Sequence, residues 1–313
     1  MAQKPSIAIV VLNYNSSDHT LRCIESIHRQ TSGFFQLTPI VVDNNSVPAD
    51  RQKLAVLSVD KVKLIYSDIN LGFSGGMMLG AMSIKADYYF LLNNDCVLQH
   101  DALSALCVFM ETHADAALCS GNMSGANGRP RSSFNYFPTL ILALFGSGLM
   151  RLFHPKRYPN RRKLYAQPLP VDVITGAAMF IRGTVFRDLH GLDTGYFLYC
   201  EEEDFAIRVS KAGWKTYHVP QAKIMHIGGA SSADPALRSA LQREYYISFF
   251  HYLREHHGML YTLIFRFVIV LKVLRRALIG KAPYRLVGFV LSGAPEKESL
   301  RYKQTRRASV RIS

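Results

Sequence analysis

Three apolar runs near the start of the chain end in the same way, and that repetition constrains the fold more than any other feature. "SIAIVVLNYN" (6–15), "TPIVVDNNS" (38–46) and "YYFLLNND" (88–95) are rich in β-branched, aromatic and large apolar residues, then break into Asn and Asp. An apolar run without polar alternation reads as a strand buried on both faces, as in a parallel sheet. Helix-like stretches lie between the runs. In "DHTLRCIESIHRQ", Leu21, Ile24 and Ile27 recur at helical spacing, with Asp18 or Thr20 expected to cap the start. "KVKLIYSDINLGFSGGMMLGAMSIKA" reads as a further strand, a Gly-rich turn and a helix, and "CVLQHDALSALCVFME" as a polar break and a helix. The alternation predicts βαβ units: an α/β fold with a mostly parallel central sheet and helices on both faces. Ligands bind such sheets beyond the carboxyl ends of the strands. Asn13, Asn15, Asp43, Asn44, Asn93, Asn94 and Asp95 stand there. One polar ending is a turn; three on one rim predict a nucleotide site.

Past Ser120 the pattern loosens. Gly, Pro and Asn are frequent up to Pro170, and "RLFHPKRYPNRRK" (151–163) is strongly basic, so an irregular, partly mobile excursion is expected. "VDVITGAAMFIRGTVF" resumes as a strand pair or a strand and turn, and an acidic cluster, "CEEEDF" (200–205), leads into a short helix. "KTYHVPQAKIMHIGG" reads as a strand and loop containing His218 and His226. The expected division is an α/β domain over 1–235 and a helical region over 236–313.

That last region is apolar, aromatic and basic at once. The stretch from Met259 to Ile279 is long enough to cross a bilayer but carries Arg266, Lys272, Arg275 and Arg276. Each charge near a helix centre costs about 2.5–3.5 kcal/mol on insertion scales. An in-plane helix with its basic residues at anionic headgroups fits better than a span; packing on the rest of the protein or on a partner is the other reading. The formal charge of +14 points to an anionic partner. Because the basic residues cluster beside apolar segments, a membrane surface suits them better than nucleic acid, and no nucleic-acid partner is expected. Five scattered cysteines without a CxxC pair argue against a disulfide framework or a zinc site. The N-terminus has no secretory pattern, so the expected location is cytoplasmic, peripherally on the inner face of the cytoplasmic membrane.

"IVVLNYN", "VVDNNS", "NLGFSGG", "FLLNND", "VITGAAMFIR", "GLDTGYFLYCEEEDFAIRVSKAGW" and "VPQAKIMHIGG" follow one another across about residues 5–230. In that order and spacing the chain resembles the family 2 inverting glycosyltransferases of the GT-A fold, and within them the bacterial rhamnosyltransferase-like branch. The resemblance implies a nucleotide-diphospho-sugar donor, dTDP-linked rhamnose or a UDP-linked sugar. It implies a lipid-linked saccharide or lipopolysaccharide acceptor, and Mg²⁺ or Mn²⁺. It places Asp43 on the imide N–H of a pyrimidine, with a turn cap as the other reading. Asn13, Asn15 and Asn44 then lie near ribose or diphosphate, and Asn70, Gly72, Phe73, Gly75 and Gly76 form a loop and helix start that the nucleotide approaches. Met77 and Met78 stand where the family often has Asn. "NND" takes the place of the family's Asp-x-Asp, with Asn93 for the first Asp and Asp95 as the cation ligand; His226 completes the metal site, and His218 reads as structural. Thr175 and Gly176 line the floor between donor and acceptor. The catalytic carboxylates fall on Glu201, Glu202 and Asp204, with Glu202 as the base and Glu201 as the next candidate. Asp204 also reads as an i,i+4 partner of Arg208. A nucleotidyltransferase would want Arg and Lys in the first strand–helix loop, and "NYNSSDHT" has neither.

Overall fold

The computed structural model describes residues 4–30, 34–57, 61–161, 163–228 and 235–309. In chain order the elements are β1 (Ser6–Asn13), α1 (Ser17–His28), β2 (Gln36–Asn44), α2 (Pro48–Lys53), β3 (Lys63–Ser67), α3 (Gly72–Ala81), β4 (Tyr88–Asn93), β5 (Cys96–Gln99) and α4 (Ala102–Thr112). They continue as β6 (Ala116–Ser124), β7 (Phe134–Asn135), α5 (Leu140–Phe153), β8 (Leu169–Val171), β9 (Val173–Ile174), β10 (Ala178–Arg182), α6 (Gly183–Asp188), α7 (Glu201–Lys211) and β11 (Lys215–His226). The helices α8 (Pro235–Leu278), α9 (Tyr284–Leu291) and α10 (Leu300–Ser309) follow.

Two compact units emerge. The first comprises Met1–Tyr136, Arg161–Gly195 and Glu201–Gly228; the second comprises Phe137–Asn160, Tyr196–Cys200 and Gly229–Ser313. The first unit holds the main sheet, ordered β3-β2-β1-β4-β10-β6-β11-β5 with β8 beside β11. The β3-β2-β1-β4 half is parallel, as strand–helix alternation requires. Beyond it the sheet is mixed, because β10 enters antiparallel between β4 and β6 after a long excursion rather than through a helical crossover.

Side-chain alternation along β1 explains why helices cover both faces. Ile7, Ile9 and Val11 share one core with Cys23, Ile24 and Ile27 of α1 and Leu103, Leu106 and Met110 of α4. On the opposite face α3 lies so close that a Cβ on Gly76 would sit 2.3 Å from Leu12, and one on Gly80 2.4 Å from Val10. These two glycines therefore serve helix–sheet packing. Gly72, with φ 74°, is the glycine that the turn into α3 needs.

Several local expectations change. The residue capping α1 is Ser16, without a side-chain cap bond. The Thr20 hydroxyl donates to Asn13 Oδ1 at 2.7 Å, and Asp18 pairs with Lys53 at 2.9 Å. The polar break after Asn94 is followed by a strand, β5, whose partner is β11. The excursion past Ser120 contains the end of the buried strand β6, between β10 and β11, and all of α5.

In the second unit α8 is interrupted at Gly258 (φ 81°, ψ 174°) and α5 at Gly146 (φ 76°, ψ 157°). The Leu140 amide donates to the Tyr261 hydroxyl at 3.0 Å, and Lys272 Nζ donates to the Ala143 carbonyl, tying α5 to the part of α8 beyond the break.

Candidate active site

The parallel register sets the rim. Asn13 at the end of β1 stands beside Asp43 on β2, and Leu12 beside Asn93 on β4. Asn13 and Asp43 are both fully buried. The Asn13 amide nitrogen lies 3.0 Å from Asp43 Oδ1, 3.0 Å from Ser46 Oγ and 2.9 Å from Asp50 Oδ2. The other Asp43 oxygen accepts from Arg51 Nε at 2.8 Å and from the Ser46 amide at 3.3 Å. Asp43 thus holds protein donors on both oxygens. Arg51, in contrast, is partly open and stands 4.9 Å from the ring centroid of Tyr66. Sequence reasoning passed over Arg51, since only the fold of α2 brings it to Asp43.

Asn15, at φ 52°, accepts from the Val47 amide through Oδ1 at 2.8 Å and shapes the β1 loop. Asn44 donates to Asn70 Oδ1 at 2.9 Å and to the Gly72 carbonyl at 3.0 Å, and accepts from the Leu71 amide at 2.9 Å. It clamps the "NLGFSGG" loop to the rim. Phe73 and Gly75 remain partly open on α3, while Gly76 faces the sheet. Met77 is buried, and the Met78 sulfur accepts from the Leu192 amide at 3.2 Å.

The "NND" residues take three different tasks. Asn93 Oδ1 is buried with no hydrogen-bond partner among the described residues. Asn94 turns back to α1, donating to Ser16 Oγ at 2.7 Å and Thr20 Oγ1 at 3.0 Å. Asp95 Oδ1 lies 3.1 Å from His226 Nε2, and Asp95 Oδ2 accepts from the Gly228 amide at 3.0 Å. Burial pushes the Asp95 carboxyl up, but the hydrogen bond and charge of His226 together with the Gly228 amide more than offset this, and it ends below its ordinary range. Asp95, Cys96 and His226 offer ligand atoms within 4.8 Å of one another. The Cys96 thiol is buried, donates to the Ala177 carbonyl, and is held protonated by that burial, so the pair suited to a hard cation is Asp95 and His226. Arg131 donates to the Ile227 carbonyl at 3.0 Å, beside Gly228. It is a second cationic group that motif reading missed. His218 is buried, and that burial pushes it down to about 4.

One run of backbone joins this corner to the acidic cluster. The Ala177 carbonyl accepts from the Asn93 amide at 2.9 Å and from Cys96 Sγ at 3.4 Å. Next to it, a Cβ on Gly176 would sit 3.1 Å from Glu202 Oε1. Thr175 Oγ1 accepts from the Ala177 amide at 3.3 Å and shapes the same turn. The chain enters α7 through two consecutive left-handed residues, Tyr199 (φ 73°) and Cys200 (φ 66°), a costly backbone for side chains of this size. Four acids then occupy the first turn of α7. Asp204 is buried and engaged by Arg208, 2.9 Å from Nε and 2.5 Å from Nη2. Arg208 in turn donates to the carbonyls of Leu189 and Gly191. Asp204 therefore ties α7, through Arg208, to the turn at residues 189–191. Glu201 is buried. Glu202 Oε2 and Glu203 Oε2 are buried without hydrogen-bond partners among the described residues. Burial pushes the Glu202 carboxyl up, and burial with the Glu202 and Glu201 charges pushes Glu203 well up.

The sequence model of Glycosyl transferase family 2 matches residues 8–189. The chain belongs to that family. It is a glycosyltransferase of the GT-A fold. Among family 2 relatives it is 25% identical over 268 residues to the N-acetylglucosaminyl-diphospho-decaprenol L-rhamnosyltransferase of Mycobacterium tuberculosis, covering 80% of this chain and 85% of that one. It is 31% identical over 144 residues to rhamnosyltransferase WbbL of Escherichia coli, covering 45% and 52% respectively. Among solved structures, the mannosyltransferase PcManGT of Pyrobaculum calidifontis, in complex with GDP-Man and Mn²⁺, superposes with a TM-score of 0.58 at 11% identity, over 95% of this chain and 88% of that one. GalNAc-T7 with UDP, GalNAc and Mn²⁺ superposes with a TM-score of 0.54 at 15% identity, over 73% and 45%. The family 2 motifs thus occur on the expected fold, with the Asp95 corner and the Glu202 carboxylate joined through Thr175–Ala177.

Proposed function

We propose that this glycosyltransferase moves rhamnose from a dTDP-linked donor to a lipid-linked saccharide or lipopolysaccharide acceptor, in one displacement that inverts the anomeric centre. The observation supporting a single reaction centre is the continuity from Asp95 through Ala177 and Gly176 to Glu202. The rhamnose and lipid-linked assignments rest on likeness to the mycobacterial and Escherichia coli relatives; a UDP-linked hexose or N-acetylhexosamine is the other donor reading.

The residues fit a divalent cation, Mg²⁺ or Mn²⁺. Asp95 Oδ1 and His226 Nε2, 3.1 Å apart, are the oxygen and nitrogen donors that would hold it. When bound, the cation supplies charge neutralisation for the departing nucleoside diphosphate. Arg131, beside Gly228, adds positive charge on the same side. Arg51 and Tyr66, backed by Asp43, form the end of the rim suited to the base. Asn44 and Asn70 hold the α3 loop against the ribose and diphosphate.

Glu202 takes the proton of the acceptor hydroxyl as that oxygen attacks. Burial raises its pKa above the ordinary carboxylate value, which makes the ionised form a stronger base than an exposed Glu. Gly176 leaves room for the carboxylate that any side chain would occupy. No protein acid is required, because a diphosphate leaves as a stable anion; a glycoside hydrolase would need two carboxylates in action.

The transfer chemistry is assigned to residues up to about 235. The basic, apolar tail after it is assigned to peripheral attachment at the anionic inner face of the cytoplasmic membrane. The test is release of nucleoside diphosphate from a panel of nucleotide-sugars with Mn²⁺ and a lipid-linked acceptor. Release confined to dTDP-rhamnose is expected; turnover only with a UDP-sugar replaces the donor, and no release from any donor overturns the reading.

A further inference from the structure

The helix beyond Gly258 is apolar on two sides, and only one of them is covered. Thr262, Phe265, Val273 and Ala277 are buried, whereas Leu260, Ile264, Phe267 and Leu271 recur at helical spacing and are exposed, Leu260 by 73%. The helix it is bonded to repeats the pattern. Nothing on α5 is buried, and Leu144, Phe145, Leu152 and Phe153 are all exposed, Leu152 by 75%. Scattered exposed apolar residues need no explanation, but two bonded helices that both leave large side chains uncovered mark an interaction surface.

The charge around them says what covers it. The sequence contains no Asp or Glu between Asp115 and Asp172, and none between Glu255 and Glu296. Arg151, Lys156 and Arg157 follow α5 or end it, and Lys272, Arg275 and Arg276 lie on α8. Segments that combine uncovered apolar side chains with cations and no carboxylates complement an apolar layer edged by anions. Neither helix suits a span. α5 has 14 residues, about 21 Å at 1.5 Å per residue, and is broken at Gly146. Pro235–Leu278 is long and apolar enough to cross a bilayer by length and composition, but Gly258 breaks it and the remainder carries four cations.

We infer that α5, an element the tail-only attachment does not include, and residues 259–278 form one two-helix foot that lies in the plane of an anionic bilayer. The inference rests on the membrane attachment proposed above and extends it to a segment far earlier in the chain. Lys272, bonded to the Ala143 carbonyl, ties the two helices together.

The experiment is co-sedimentation of the full-length protein with phosphatidylcholine vesicles, with and without phosphatidylglycerol. The wild type binds the anionic vesicles and is released by salt. Leu144→Ser with Phe145→Ser on α5, and separately Leu260→Ser with Phe267→Ser on α8, each lower the bound fraction roughly tenfold, since each pair removes two large inserting side chains. Circular dichroism and nucleoside diphosphate release with a water-soluble acceptor check that the variants fold. Wild-type vesicle binding by the α5 pair overturns the two-helix foot and leaves the tail alone. A wild-type dimer that the α5 pair converts to monomer, with no vesicle binding by either, overturns it in favour of a second copy of the chain. Failure of diphosphate release with vesicle binding intact removes the proposed reaction and spares this surface.

Discussion

Asp95 Oδ1 and His226 Nε2 stand 3.1 Å apart although the residues lie on opposite sides of the sheet-forming sequence. The antiparallel pairing of Cys96 with His226 on β5 and β11 fixes that approach. Asp95→Ala removes the carboxylate that stands beside His226. The expected result is loss of Mn²⁺-dependent turnover by roughly 10²–10³-fold, the size seen when a stabilising group for developing charge is removed. A titration of nucleoside diphosphate release against Mn²⁺ measures it; full activity in this variant removes the proposed metal site.

Glu202→Gln keeps the shape of the side chain and loses the base. The rate is expected to fall by about 10²–10⁴-fold with donor affinity retained, measured by single-turnover kinetics beside calorimetric donor binding. Glu201→Gln serves as the comparison, and a dead Glu201 variant beside an active Glu202 variant moves the base by one residue. In the wild type, kcat/KM falls as pH drops through the raised Glu202 value, since the base must be ionised.

Gly176→Ala tests the floor without touching an ionisable group. Its Cβ would stand 3.1 Å from the Glu202 carboxylate, tighter than ordinary contact, so the carboxylate must yield. Small displacements of a reacting group are costly, and about a tenfold loss of kcat with little change in donor KM is expected. Unchanged kcat would separate Glu202 from the reacting atoms.

Glu203 gives a stability prediction with a definite sign. Its folded-state pKa is well above the ordinary 4.5, first through burial and then through the Glu202 and Glu201 charges. The folded protein keeps a proton that the unfolded chain has released, so between 4.5 and the raised value stability falls as pH rises. Glu203→Gln is always neutral and escapes that loss. Its thermal midpoint should exceed the wild type's at about pH 8 and converge on it near about pH 5; a constant difference across pH rejects the assignment.

Arg51→Ala leaves the buried Asp43 without its cation. Asp43 keeps Asn13 and the Ser46 amide, so a cost of about 1–3 kcal/mol is expected rather than unfolding. Denaturant titration measures it, and donor binding should weaken in parallel.

The half-sheet β3-β2-β1-β4 was legible because β1, β2 and β4 are apolar runs buried along most of their length and α1 between the first two carries a helical period. β6 was not, since "AALCSGNMS" mixes Gly and Asn into a strand made secure by β10 and β11 on either side. α5 was hidden by uniform apolarity and two glycines, one of which does break it. Thr20 looked like a helix cap and instead bonds Asn13, a choice made by the neighbouring strand. At the site, the motifs singled out Asp95, His226 and Glu202 as candidates, and the fold sets Asp95 beside His226 and Glu202 beside Gly176. The helical spacing of Asp204 and Arg208 gave their pairing, but nothing in the motifs showed that Asn13 and Asp43 are sealed inside, or that Arg51 and Arg131 come to the rim.

By itself, the order of residues determined which strands end in polar groups and on which rim those ends meet, because burial of an apolar run is a local property carried by composition and period. Tertiary structure alone decided which of those polar groups remain available. That depends on partners brought from distant parts of the chain, and a buried carboxylate or amide bonds whichever donor the packing sets beside it.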